Sequence, residues 1–96
     1  MPAQQSPEFK QAALDVKKLK AKPTNDELLE LYALYKHGTD EESIDDAKAP
    51  SMFDFKEKAK RRAWQDTVDS GMSPADAQKK YVALVEELKN KHGVEA

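Results

Sequence analysis

Apolar residues recur at helical spacing four times along the chain and never alternate as they do in β-strands. The first stripe consists of Phe9, Ala12, Ala13, Val16 and Leu19. Ser6 followed by Pro7 is a typical cap and first-turn pair, and Pro23 cannot continue a helix. These signals predict helix 1 at residues 7–20.

The second stripe consists of Leu28, Leu29, Tyr32 and Tyr35. Thr24 or Asn25 can cap its start by accepting the first backbone amides, and Gly38 is a helix stop. Helix 2 is therefore predicted at residues 25–37.

The second half of the chain has the same kinds of helix start and stop signals. KEKAKRRAWQDTV predicts helix 3 at residues 54–69, ending before Gly71. Ser73 with Pro74 starts the longest stripe, which Gly93 ends, so helix 4 is predicted at residues 74–92.

Four amphipathic helices with one apolar stripe each predict an all-α four-helix bundle. The acidic, aperiodic stretch DEESIDDAKAP, residues 40–50, is a long connection between helices 2 and 3. Because a long link lets the chain cross the bundle and restart in the same direction, we expect an up-down-down-up arrangement. A chain of 96 residues without repeats predicts a single domain at 1–96.

Composition narrows the function classes. The net charge of −2 argues against an overall affinity for nucleic acid, so any anion site must be local. Without cysteine the chain can form no disulfide, thiolate nucleophile or cysteine-based zinc site. No apolar run is long enough for a membrane span or signal peptide, which predicts a cytoplasmic protein.

The residue inventory offers little for catalysis. His37 and His92 both lie near predicted helix ends, where a positive side chain complements the helix dipole. Neither belongs to a nucleophile or metal motif, and the acidic stretch lacks the glycine that a calcium loop needs. We therefore expect no enzyme activity, no metal and no cofactor.

The informative residues are tyrosines and lysines. Tyr32, Tyr35 and Lys36 share one face near the end of helix 2. Lysines or tyrosines on the other three helices could join this face: Lys17, Lys56, Lys60 and Tyr81. Taken singly, each is explained as core or as solvated flank. Together, rings that stack on a base and amines that bind phosphate suit a phosphorylated nucleotide.

The motifs around this face resemble those of the acyl-CoA-binding proteins, small cytosolic four-helix carriers. They are F-x-x-A-A-x-x-V-K-x-L from Phe9 to Leu19, Lys22-Pro23, L-x-x-Y-x-x-Y-K-x-x-T from Leu29 to Thr39, D-F-K-x-K-A-K-x-x-A-W from Asp54 to Trp64, and G-x-S-x-x-D-A-x-x-x-Y from Gly71 to Tyr81. The resemblance covers nearly the whole chain.

The resemblance implies a role for each matching residue of the CoA headgroup site. Lys36 would pair with the 3′-phosphate, supported by the Tyr32 hydroxyl, while Tyr35 stacks on adenine. Lys60 would bind the nucleotide phosphate and thioester region. Lys17, Lys56 and Tyr81 would complete the site.

The resemblance also implies an acyl groove lined by Leu28, Leu29 and Ala59, although periodicity alone explains each as core. Two departures stand out. His37-Gly38 replaces the family's usual Gln-Ala, and Arg61 stands where the family usually has tryptophan. The remaining indole, Trp64, is predicted to be buried in the bundle.

The function implied is binding and carriage of medium- to long-chain acyl-CoA in lipid metabolism. The expected protein is a monomer that binds no nucleic acid and makes transient contacts with membranes or acyl-CoA-using enzymes. The alternative is a helical interaction module whose basic segment KEKAKRR docks on an acidic protein, a membrane surface or nucleic acid.

Overall fold

The computed structural model describes residues 3–95 and shows an all-α bundle, which confirms the predicted fold class. Its four helices are α1 (Pro7–Asp15), α2 (Asn25–Thr39), α3 (Phe55–Asp69) and α4 (Pro74–His92). A short 3₁₀ turn, Val16–Lys18, extends α1. Within residues 3–95 no strand forms, and extended pairing is limited to a single bridge between Leu19 and Val94.

Side-chain caps fix the helix starts. The Ser6 hydroxyl accepts a hydrogen bond from the Phe9 amide, and Ser73 caps α4 in the same way. Thr24 and Glu27 form a reciprocal capping box at α2. The predicted starts of α1, α2 and α4 are confirmed because these signals are local in sequence.

The predicted end of helix 1 at residue 20 is wrong. The α-helix ends at Asp15, and the backbone is extended by Leu19. The Lys20 amide donates to the Gly93 carbonyl at 2.9 Å, and the Glu95 amide donates to the Lys18 carbonyl at 2.8 Å. Backbone groups that would have extended the helix therefore pair with the segment after α4.

The prediction that Gly38 stops helix 2 is also wrong. Gly38 is buried inside α2, and a Cβ there would lie 3.1 Å from the Gln78 side chain of α4 and 3.4 Å from Phe9. Asp40, in the left-handed conformation with φ of 48°, ends the helix instead. Gly38 thus allows the close approach of α2 to α4.

α4 lies at the centre of the core. The fully buried cluster joins its inner face to α1 and α2 and consists of Phe9, Ala12, Leu31, Leu34, Ala77, Tyr81, Val85 and Leu88. On α1 and α4 these residues belong to the apolar stripes that the sequence pattern identifies. On α2 the predicted stripe from Leu28 to Tyr35 is wrong about the core face, because Leu31 and Leu34 are buried instead.

Paired ends show that α1 and α4 run in parallel. At one end the Ser6 amide donates to the Gln78 side chain at 3.0 Å, and at the other Lys89 donates to Asp15 at 3.2 Å. Both contacts join matching ends of the two helices.

α2 runs antiparallel to α4 and parallel to α3. Its C-terminal Gly38 carbonyl accepts from Gln78 near the start of α4, whereas its N-terminal Glu27 pairs with Lys91 near the end of α4. On the other side, Lys60 lies over the Tyr32 ring, and Lys36 lies over the Trp64 ring one turn further along both helices. These directions establish the predicted up-down-down-up arrangement.

The backbones of α1 and α2 remain apart, although a short link joins the two helices. No α-carbon pair from these helices lies within 8 Å. The separation leaves an open seam on the face of the bundle, and this seam positions the candidate site.

Candidate functional site

A groove of about 620 Å³ occupies the seam between α1 and α2. Its walls are mostly apolar and aromatic, with two lysines, Lys10 and Lys17, on the α1 side. Tyr81 reaches the groove from α4. A concave apolar surface with few polar groups is typical of a small-molecule site.

Three aromatic rings support one another beside this groove. Tyr35 stacks on Phe9 with a centroid separation of 5.5 Å, and Tyr81 packs edge-on against Phe9 at 5.0 Å. Tyr35 is 38% exposed, so part of its ring is available to a ligand. Burial, together with the neighbouring Tyr35, raises the pKa of Tyr81 to about 12, which keeps its phenol protonated.

Tyr32 and Trp64 join the groove to α3. Their rings meet edge to face at 6.4 Å, and the Lys60 ammonium lies 5.1 Å from the Tyr32 ring centroid. Tyr32 also lines a second pocket of about 480 Å³ beneath the α2–α3 connection. Trp64 is only 3% exposed, which agrees with its predicted place in the bundle.

The two lysines next to these rings, Lys36 and Lys60, each lie close to a carboxylate. The Lys36 ammonium lies 4.8 Å from the Trp64 centroid and 3.1 Å from a Glu42 carboxylate oxygen. Lys60 lies 3.3 Å from Glu57 in the preceding turn. An anionic ligand would therefore compete with carboxylates for these two ammonium groups.

The structure brings most of the predicted headgroup residues together. Four of them line the groove or reach it directly: Lys17, Tyr32, Tyr35 and Tyr81. Lys36 and Lys60 lie beside the groove through their contacts with Trp64 and Tyr32. Lys56 is exposed in the first turn of α3 and lies outside the groove.

The predicted acyl-chain residues divide between two places. Leu28 lines the α1–α2 groove. Leu29 lines a separate pocket of about 380 Å³ on the opposite side of α2, together with Ala63 and Thr67 of α3. Ala59 is half-buried on α3 and lines neither pocket.

Both histidines make specific contacts in addition to lying in the last helical turns. The His37 ring nitrogen bonds the Met72 carbonyl, which ties α2 to the link before α4. His92 lies 3.3 Å from Glu27, which also accepts from the Thr24 amide and Lys91. The bond from Thr24, followed by those from Lys91 and His92, lowers the pKa of Glu27 to about 2.

Sequence reasoning missed two groups of residues. Lys10 and Leu14 line the groove and share the helical face of Lys17, so their spacing was an available signal. Arg61 donates to the carbonyl oxygens of Ala47 at 3.2 Å and Ile44 at 3.1 Å. Arg61 thus holds the α2–α3 connection, which spacing could not reveal.

Two classes of feature are absent from the part of the chain that the structure describes. None of the helices in residues 3–95 is both long and apolar enough to cross a membrane. The same residues contain no group of three or more histidine or carboxylate side chains placed to hold a metal ion.

Comparison with known proteins agrees with these motifs. The family model for acyl-CoA-binding protein matches residues 6–85. Acyl-CoA-binding protein homolog 1 of Caenorhabditis elegans is 54% identical over 85 residues, which cover 88% of this chain and 94% of that protein. The acyl-CoA-binding proteins of Saccharomyces cerevisiae and Dictyostelium discoideum are 44% and 45% identical, covering 83% and 88% of this chain and 87% and 95% of their own lengths. The chain therefore belongs to the acyl-CoA-binding protein family.

Proposed function

We propose that this protein binds medium- to long-chain acyl-CoA thioesters and carries them as a diffusible pool for lipid metabolism. The relatives described above are named for acyl-CoA binding. The observation that carries the proposal is the convergence of Tyr32, Tyr35 and Tyr81 on one groove, with lysines beside them.

The headgroup fits the groove by its chemistry. The partly exposed Tyr35 ring, already stacked on Phe9, offers a flat surface for adenine. Lys36 supplies an ammonium for the 3′-phosphate, and the Tyr32 hydroxyl is a donor for the same group. Lys60 and Lys17 supply charge for the remaining phosphates from either side of α2.

The register of α2 against α3 supports a path for the acyl chain. Lys60 lies over Tyr32, and Trp64 lies beside Lys36 one turn later. Continuing this register one turn back along both helices places Lys56 opposite Leu28. We infer that the chain leaves the headgroup at Tyr32 and follows Leu28 along the groove, with Lys56 at the rim. Leu29 and Ala59 lie outside this path.

The proposed role is carriage in the cytoplasm by a monomer, without catalysis or a cofactor. Within residues 3–95 neither histidine bonds a serine or threonine hydroxyl, since His37 contacts a backbone carbonyl and His92 contacts Glu27. Covering the thioester with protein excludes water, so binding without a nucleophile would protect the ester rather than cleave it.

Calorimetric titration tests this function directly. We expect palmitoyl-CoA to bind more tightly than either free CoA or free palmitate, because only the thioester fills both the headgroup face and the acyl path. Equal affinity for palmitoyl-CoA and palmitate would contradict the proposed headgroup site. Equal affinity for palmitoyl-CoA and CoA would contradict the proposed acyl path.

A further inference from the structure

Three large apolar side chains project into solvent where α3 begins. Met52, Phe53 and Phe55 are 72%, 82% and 75% exposed. We refer to these three residues as the apolar tip. Among residues 3–95 the other exposed large hydrophobic residues are Leu14 and Tyr35, and both line the α1–α2 groove. The groove does not account for the apolar tip, which is absent from its lining.

Hydrogen bonds hold the apolar tip in place. The Phe53 amide donates to the Ser51 hydroxyl at 3.3 Å, and the Asp54 amide donates to the Ser51 carbonyl at 3.0 Å. Lys58 donates to the Met52 carbonyl at 2.7 Å while its ammonium lies 5.8 Å from the Phe55 ring centroid. The backbone turn therefore presents these side chains outward in a defined arrangement.

The apolar tip lies in a strongly basic part of the chain. Residues 48–62 contain six basic and two acidic residues, a net charge of +4 in a chain whose net charge is −2. Lys48, Lys56 and Arg62 are exposed and form no ion pair within residues 3–95. An exposed apolar segment flanked in sequence by unpaired cations is complementary to a surface that is anionic outside and apolar beneath.

We propose that the apolar tip docks this protein on the surface of an anionic phospholipid bilayer. Met52, Phe53 and Phe55 enter the interfacial region, where aromatic rings are favoured, and the basic residues lie over the headgroups. A bilayer fits better than a folded partner because the tip consists of only three exposed apolar side chains, whereas a stable protein interface needs a broad complementary surface. The acidic residues 40–46 restrict the approach, because an anionic membrane repels them.

Docking by the apolar tip also orients the site, a consequence that rests on the proposed acyl-CoA function. The pocket beneath the α2–α3 connection is lined by Ser51 and Asp54, which flank the tip in sequence, and also by Tyr32 and Trp64. The tip thus adjoins, along the chain, a pocket that shares Tyr32 with the groove. A docked molecule would hold the start of the acyl path close to the bilayer from which an acyl-CoA departs.

Vesicle flotation of the ligand-free protein tests the proposal. The vesicles contain phosphatidylcholine with about 30% phosphatidylserine, and pure phosphatidylcholine vesicles are the charge control. Each basic side chain that reaches the anionic surface should strengthen binding about fivefold over the neutral vesicles. The double substitution Phe53→Ser with Phe55→Ser should weaken binding to anionic vesicles at least about tenfold, since burial of one aromatic side chain alone accounts for that factor.

Ala83→Ser is the control, because Ala83 is an exposed apolar residue on α4 outside the groove and should leave vesicle binding unchanged. Circular dichroism of all variants should be the same, since the substituted side chains are exposed. Equal binding to both vesicle types, or unchanged binding by the double variant, would overturn the proposal. A concentration-dependent dimer that the double variant abolishes would assign the apolar tip to a second copy instead.

The outcome is separable from that of the carrier function. Palmitoyl-CoA calorimetry contains no bilayer, and the flotation assay contains no acyl-CoA. Tight palmitoyl-CoA binding without flotation would overturn the docking surface alone, and flotation without palmitoyl-CoA binding would overturn the carrier function alone.

Discussion

The face of α2 toward α4 and the face toward α1 are built from the same kinds of residue, but the first is buried and the second is partly exposed. Toward α4 the helix is closed: Gly38 is buried, and Gln78 donates to the Gly38 carbonyl at 2.9 Å and the Gln4 carbonyl at 2.8 Å. Toward α1 the helix is open, and Tyr35 keeps 38% of its surface exposed. One helix can therefore stabilise the bundle with one face and offer a binding surface with the other.

The largest effect is expected on the closed side. Leu88→Ala removes a side chain that is 1% exposed in the centre of the core, which should lower the free energy of unfolding by about 2–5 kcal/mol. Urea denaturation measures this loss. Palmitoyl-CoA affinity of the folded variant should not change. A matching loss of affinity at low temperature, where the variant is fully folded, would mean that the two sides are not independent.

A residue of the proposed headgroup site should show the reverse behaviour. Lys36→Ala should weaken palmitoyl-CoA binding by about 1.5–3 kcal/mol, the range for a lost charge-assisted hydrogen bond. The free energy of unfolding should fall by no more than about 1 kcal/mol, because the Lys36–Glu42 pair is partly exposed to solvent.

Two controls locate this effect. With the 3′-dephospho analogue of palmitoyl-CoA, Lys36→Ala should bind as well as the unsubstituted protein. Lys89→Ala removes an ion-paired lysine from the α1–α4 side and should leave affinity for either ligand unchanged. If Lys36→Ala weakens binding of both ligands equally, the assignment of Lys36 to the 3′-phosphate is wrong.

A smaller effect of opposite sign should follow at Glu42. Its carboxylate lies 3.1 Å from the Lys36 ammonium and competes with an incoming phosphate. Glu42→Gln should strengthen palmitoyl-CoA binding by up to about 1 kcal/mol, the range for a surface ion pair. Glu86→Gln, which removes a carboxylate paired with Lys89, is the matched control and should leave palmitoyl-CoA affinity unchanged. A weaker complex for Glu42→Gln would show that Glu42 supports the site rather than competing for Lys36.

The smallest predicted effect is a pH dependence of the stability that the contact between α2 and α4 provides. Because the folded pKa of Glu27 is about 2, below its ordinary 4.5, the ionised carboxylate stabilises the folded state. This contribution is complete above pH 4.5 and is lost as the pH falls toward 2. Tm measured across this range should fall less steeply for Glu27→Gln than for the unsubstituted protein. If Tm falls equally steeply with pH in both proteins, the ionised Glu27 carboxylate does not help to hold α2 against α4.

Local signals in the sequence predicted the helix starts and the tyrosine face. Ser6, Ser73 and the Thr24–Glu27 box act within a few residues, and spacing places Tyr32 and Tyr35 on one side of a helix. The single-domain prediction is untested by these contacts and stays a prediction.

The predictions that failed involve contacts with residues far away in sequence. Gly38 could be recognised as a packing glycine only once Gln78 was known to lie against it, and helix 1 ends early because Lys20 pairs with Gly93. The contact between Lys36 and Glu42 was equally hidden, because it depends on the path of the chain after Asp40. Periodicity identifies the face of a helix, but the fold decides what covers it.

The most direct test of the binding site is an isotope-filtered nuclear Overhauser experiment on labelled protein with unlabelled palmitoyl-CoA. The groove between α1 and α2 predicts contacts from adenine protons to the Tyr35 ring and from acyl methylenes to the Leu28 methyl groups. Contacts confined to Phe53 and Phe55, with none at Tyr32, Tyr35 or Leu28, would contradict the assignment of acyl-CoA to this groove.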